Sequence, residues 1–171
     1  AAEAGMSPGN LYRYFSAKDA IVAAIAERDR SAIAGDFAAL DASAGSLLDQ
    51  LEALGRRHLV EAPREKAVIA LQIWADAARN PEMARMCAEI DGAVASGLAA
   101  CIGEAKRNGE LPPDLDETRF LQAISMMADG FLCRRAIDPA FDAQAAARTL
   151  FEAMRGLATL LTSPARAEAA E

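Results

Sequence analysis

Apolar residues along the chain recur at helical spacing and almost nowhere alternate. Leu47, Leu51, Leu54 and His58 step by four, three and four positions, which is one stripe of an amphipathic helix ending at Pro63. Phe120, Ile124, Met127 and Phe131 repeat the stripe in a helix capped by Asp116 and reaching about Ala136, and Leu150, Met154, Leu157 and Leu161 repeat it from Asp142 onward. Met83, Met86, Cys87, Ile90, Val94, Leu98, Cys101 and Ile102 mark the inward face of a helix from Glu82 to Arg107. The stretch "AVIALQIWADAA", in a helix from Glu65 to Arg79, is apolar nearly all round. Such a helix is expected in the interior. Ile21, Ile25, Ile33 and Phe37 lie on or near one face of a helix from Ser16 to about Leu40. No period-two run persists, so the predicted fold class is all-α.

Start and stop signals agree with these spans. Ser16 and Ser46 each stand three residues before an aspartate, Asp19 and Asp49, a helix-start pattern. Ser7 followed by Pro8 starts a short helix to about Phe15, since proline at the first helical position loses nothing. Asn80-Pro81 and Asp138-Pro139 separate helices, Asn108-Gly109 is a C-cap, and "ELPPDL" is a rigid loop.

The 171 residues suit one compact domain or one with a small appendage, and 53% are hydrophobic, enough for a full core. Cys87, Cys101 and Cys133 form no CxxC pattern. Free thiols in a reducing, cytoplasmic setting are expected, and no secretory pattern appears. No charge-free apolar run approaches the ~18 residues of a membrane span, so no membrane partner is expected. His58 is the single histidine. With no second histidine and no close cysteine pair, a core or pocket role is expected for it rather than a metal site. No G-x-S-x-G elbow accompanies it, so neither an enzyme nor a cofactor is expected. Asp76, Asp91 and Asp129 interrupt apolar helices, and one facing inward would suit a cationic ligand.

The formal net charge is −7, which at first disfavours a polyanionic partner. Its distribution changes the picture. Residues 1–30 hold four basic groups (Arg13, Lys18, Arg28, Arg30) and four acidic ones (Glu3, Asp19, Glu27, Asp29), leaving 14 basic and 21 acidic elsewhere. The negative balance belongs to the body and not to the opening segment.

That opening segment, "AAEAGMSPGNLYRYFSAKDA", reads as the second half of a helix-turn-helix. Such a reader helix needs small or polar groups at its N-terminus to approach base edges. Ser7, Pro8, Gly9 and Asn10 supply them, and Asn10 can both donate and accept. Leu11 and Phe15 are spaced to anchor the helix, while Tyr12 and Tyr14 can offer hydroxyls to bases or phosphates. Lys18 falls in the first turn of the next helix, where a cation and free N–H groups can meet a phosphate. A helical hairpin with coincidental tyrosines is the plainer alternative.

The string "EAGMSPGNLYRYFSAKDAIVAAI" resembles the tetracycline-repressor (TetR) family of bacterial regulators, in Gly5, Pro8-Gly9-Asn10, Leu11-Tyr12, Tyr14-Phe15 and Lys18. The close match covers about the first twenty-five residues; the remainder agrees in helix number and length. The resemblance implies that Pro8, Gly9, Asn10 and Tyr12 face bases or the groove wall and that Tyr14 and Lys18 take phosphates. It also implies one further helix and most of another before Ala1, so that the helix-turn-helix in this chain is truncated. "QIWADAARNPEMARMCAEID" is similar to the middle of the effector domain in choline-responsive, BetI-like members.

On that resemblance residues 1–40 are the end of the DNA-binding domain plus a connecting helix, 41–163 an effector-binding and dimerisation domain, and 164–171 a flexible tail. The expected function is a ligand-responsive repressor, with an operator duplex, a small-molecule effector and a second copy of itself as partners. Leu54, His58, Trp74, Met86, Ile90, Met127 and Phe131 are the expected pocket lining. Trp74 could equally be core, or could box a quaternary ammonium. Leu132, Leu150, Met154, Leu157 and Leu161 are the expected dimer seam. A helical ligand-binding or interaction module without DNA function is the competing possibility.

Overall fold

A computed structural model describes residues 18–40 and 45–162. Among them, α1 spans Lys18–Ala38, α2 Leu47–Arg56, α3 Arg64–Ala77, α4 Pro81–Arg107, α5 Glu117–Ile137 and α6 Ala143–Leu160. A π-helical turn, Arg57–Glu61, extends α2. The one extended pairing among the described residues is an isolated bridge of Leu115 with Thr162. There the Asp116 N–H donates to the Leu161 carbonyl at 2.9 Å.

The helix ends form where local chemistry dictates. Ser46, Asn80, Asp116 and Asp142 each accept backbone N–H groups of the turn they open, satisfying donors that no earlier carbonyl can reach. α4 closes at Asn108 with Gly109 at φ +79°. The Glu110 N–H then reaches back to the Ala105 carbonyl at 2.8 Å, a closure that favours glycine in the left-handed region.

Two apolar clusters hold the helices together. Leu47, Leu51, Leu98, Ile102, Phe120 and Ile124 are among the buried members of the first, which joins α2, α4 and α5. Val60, Phe131, Ala147, Leu150 and Phe151 form the second, with the Phe131 and Phe141 rings edge-to-face at 5.2 Å. Each such large side chain stabilises the fold by roughly 1.5–3 kcal/mol relative to exposure. The Phe151 ring packs where Gly55 leaves room: a Cβ there would come within 2.9 Å of it.

The structure departs from the sequence pattern in three places. First, α3 is not interior. Ala67 is its one buried residue, and Ile69 is 42% exposed. α3 packs mainly against α4 and α5, so its outer side is uncovered within this chain. Second, the helix beginning at Leu47 does not run uniformly to Pro63, because residues 57–61 widen into the π turn. Leu47, Leu51 and Leu54 stay buried, but His58 leaves that stripe and is half-exposed. Third, Leu150 is 7% exposed and belongs to the chain's own core, so it is withdrawn from the expected dimer seam. By length and composition α4 could cross a bilayer. In the fold it packs against α1, α2, α3 and α5, and Met83, Leu98, Cys101, Ile102 and Ala105 are its buried residues.

Candidate functional site

The predicted DNA-reading residues Ser7, Pro8, Gly9, Asn10, Tyr12 and Tyr14 lie outside the described residues. Lys18 is described only in its backbone, as the first residue of α1. What the structure does describe is how the helix leaving that region is fastened to the body.

α1 meets the body chiefly along α4. The Phe37 ring lies directly against Gly97, and a Cβ on Gly97 would overlap it. One residue earlier, the Asp36 carboxylate is engaged from the other direction by the π turn. Its Oδ1 accepts from Arg57 at 2.9 Å, and its Oδ2 from His58 Nε2 at 2.7 Å. An ionised carboxylate has no proton to give, so Nε2 carries the hydrogen. His58, expected as a pocket residue, is thereby tied to the connecting helix. No local pattern marks Asp36, because its partners lie 21 and 22 positions away. The one available signal was an aspartate beside Phe37 in an alanine-rich helix.

The π turn is gripped from behind as well. Arg135 in the last turn of α5 donates to the Leu59 and Val60 carbonyls at 2.5 and 2.9 Å, and also to the Ala62 carbonyl. Arg64 returns the contact, donating to the Arg135 and Ala136 carbonyls at 3.0 and 2.5 Å. Wide turns leave carbonyls poorly served by their own helix, and a guanidinium fork serves several at once.

The remaining expected pocket residues divide. Phe131 is buried in the second cluster, with Met127 packed against it, and Leu54 is buried. Trp74, Met86 and Ile90 are half-buried on α3 and α4 and join neither cluster. The region where α3, α4 and α5 meet is thus apolar but incompletely closed. Burial raises the Asp91 carboxyl above its ordinary range. Burial, and then the charge of Asp91, raise Asp129. Both side chains keep surface open to solvent, so the desolvation is partial. Asp76 pairs with Arg79 at 2.7 Å. A separate cleft of about 30 Å³, roughly one water's worth, is lined by Leu48, Leu51, Phe120, Ile124, Phe151 and Met154, among others. None of the seven expected pocket residues lines it.

Of the expected dimer seam, Leu132 is half-buried on α5, while Met154, Leu157 and Leu161 pack on the chain's own core. The large apolar side chains that α5 and α6 do expose are Met126 at 67%, Ile137 at 66% and Leu160 at 76%.

Residues 48–161 match the family described as BetI-type transcriptional repressor, C-terminal. Residues 1–25 match the family described as bacterial regulatory proteins, tetR family. The HTH-type transcriptional regulator UidR of Escherichia coli is 28% identical over 135 residues, which cover 74% of this chain and 64% of UidR. The match thus spans somewhat less than two thirds of that relative. The structure is similar to Salmonella enterica GusR, with a TM-score of 0.71 at 25% identity, covering 91% of this chain and 80% of that one. A TetR transcription regulator from Haloarcula marismortui shares the fold, with a TM-score of 0.67 at 21% identity over 93% of this chain and 82% of that one.

Proposed function

This chain belongs to the TetR family of bacterial transcriptional regulators, and from that membership we propose that it is a ligand-responsive repressor acting as a cytoplasmic homodimer. The carrying observation is that a tetR-type segment at residues 1–25 and a BetI-type repressor domain at 48–161 occur in one chain. Residues 1–40 are assigned to the DNA-reading end and connecting helix, 41–163 to effector binding and dimerisation, and 164–171 to a tail.

In this reading Ser7, Pro8, Gly9, Asn10, Tyr12, Tyr14 and Lys18 meet an operator duplex. Two readers about one helical turn apart, ~34–36 Å, would match a palindromic operator. The effector enters the half-closed apolar region between α3, α4 and α5, beside Trp74, Met86, Ile90 and Met127. Methionine and tryptophan give such a site adaptable apolar contact. The effector binds the operator-incompetent arrangement better, because only a difference in affinity can move the equilibrium. The matched families are regulators, and no step of bond chemistry is assigned to any residue.

Fluorescence anisotropy of the full-length protein with duplex DNA from upstream of its own gene tests this. A palindrome-dependent complex that weakens steeply with salt is expected. Salt-insensitive or sequence-blind binding, or none, contradicts it.

A further inference from the structure

Asp36 and Phe37 are neighbours on the last turns of α1, yet they are attached to different parts of the body. Phe37 sits on Gly97 of α4 in a close apolar contact that leaves no space for a β-carbon. Asp36 is held by Arg57 and His58, polar groups on the π turn. Adjacent helical residues point about 100° apart, so the two attachments approach α1 from different sides. One resembles a pivot, and the other a releasable latch.

The latch has a route to the effector region. Arg135 belongs to α5, which packs against α3 and α4. Its guanidinium holds the Leu59, Val60 and Ala62 carbonyls, which belong to or adjoin the turn that carries His58. A shift of α5 therefore pulls on the segment that grips Asp36. α1 has 21 residues, about 30 Å at 1.5 Å per residue. A tilt of about 10° at the Phe37 pivot would carry its Lys18 end by about 5 Å over that length.

We propose that Asp36 and His58 form a latch, and Phe37 on Gly97 a pivot, that together set the angle of α1, and that Arg135 connects this latch to the effector region. The proposal rests on the regulator reading and deepens it by naming the residues that couple the two ends. Asp36, His58 and Arg135 are positioning residues; none needs to touch DNA or effector.

The test uses the full-length dimer with Asp36→Ala, His58→Ala and His58→Gln, whose amide can still donate to the carboxylate. Amide exchange in α1 is expected to accelerate about tenfold in both alanine variants, while α6 exchanges at the wild-type rate. His58→Gln restores most of the protection, and the double alanine variant is no faster than Asp36→Ala, which also gives up the Arg57 contact. Affinity for duplex DNA from upstream of the gene falls in parallel with the loss of protection. If wild type binds such DNA and the alanine variants exchange and bind like it, the latch is wrong while the regulator reading stands. If wild type binds none of it, the regulator reading fails, and the coupling role fails with it.

Discussion

Arg64 and Arg135 exchange helix caps. The Arg64 guanidinium lies on the Arg135 and Ala136 carbonyls that end α5, and the Arg135 guanidinium lies on the carbonyls of Leu59, Val60 and Ala62 just before α3. Each cation thus sits at the negative end of a helix, where its charge and its hydrogen bonds act in the same sense. The exchange ties residues more than seventy positions apart in sequence.

Removing Arg135 leaves at least three part-buried carbonyls without that donor. Arg135→Ala is expected to cost about 2–4 kcal/mol, the scale for charged hydrogen bonds whose loss strands buried partners. Arg135→Lys recovers only part of it, because an ammonium cannot span the three carbonyls as the planar fork does. Urea unfolding checks both, and an alanine variant as stable as wild type would show the cap to be incidental.

Glu110 anchors the start of α2 from the far end of α4. Its carboxylate accepts from Ser46 Oγ at 2.7 Å and from the Leu47 and Leu48 N–H groups at 3.1 and 3.2 Å. The Ser46 hydroxyl first, then those two backbone donors, hold the carboxyl below its ordinary range. A carboxylate with a depressed folded pKa adds stability above its unfolded value, about 4.3, and loses it as pH falls through the folded value. Glu110→Gln should therefore lower the Tm at pH 7, and the gap to wild type should close progressively below about pH 4. Thermal unfolding across that range decides it; a gap independent of pH would assign the effect to shape, not charge.

These two anchors explain what could and could not be read from sequence. Ser46, Asn80, Asp116 and Asp142 act within one turn, so spacing alone reveals them. The π turn at 57–61 is held by an arginine some 75 positions away, which no local window contains. Periodicity also says which face is apolar without saying what covers it. Leu150 and Leu157 lie on the predicted stripe, but that stripe faces the chain's own core. α3 carries an apolar run yet keeps an open side, since few elements pack on it. The pairing of His58 with Asp36 joins two helices 22 positions apart, so no local pattern announces it.

Gly97 is the position on α4 where side-chain volume should matter most. A methyl there meets the Phe37 ring, and a packed interface answers added volume by displacing the smaller commitment. Gly97→Ala is expected to destabilise by about 1–3 kcal/mol as an overpacking change, against the gain of up to about 1 kcal/mol that alanine brings to a helix interior. Gly97→Ala combined with Phe37→Leu should recover part of the loss, since the smaller side chain vacates the contested space. A double-mutant cycle measured by denaturant unfolding reads the coupling. Additive effects would mean that the two residues do not touch.

The proposed dimer places its own demand on the exposed side of α5 and α6. Met126, Ile137 and Leu160 are each about two-thirds or more exposed in the single chain, and large apolar side chains left open on paired helices suit a self-complementary surface. Small residues beside them, Gly130 on α5 and Ala153 and Gly156 on α6, are exposed too, which lets facing helices approach closely. Met126→Glu and Leu160→Glu touch no core cluster, so the fold of each chain should survive. Sedimentation of the full-length protein should show the pair of substitutions shifting dimer to monomer, with the Tm falling at high protein concentration because mass action no longer favours the folded dimer. Leu150→Glu, by contrast, should unfold the chain, since its side chain is buried against Val60, Phe131 and Phe151. A Met126/Leu160 variant that still sediments as a dimer would move the interface off these two helices.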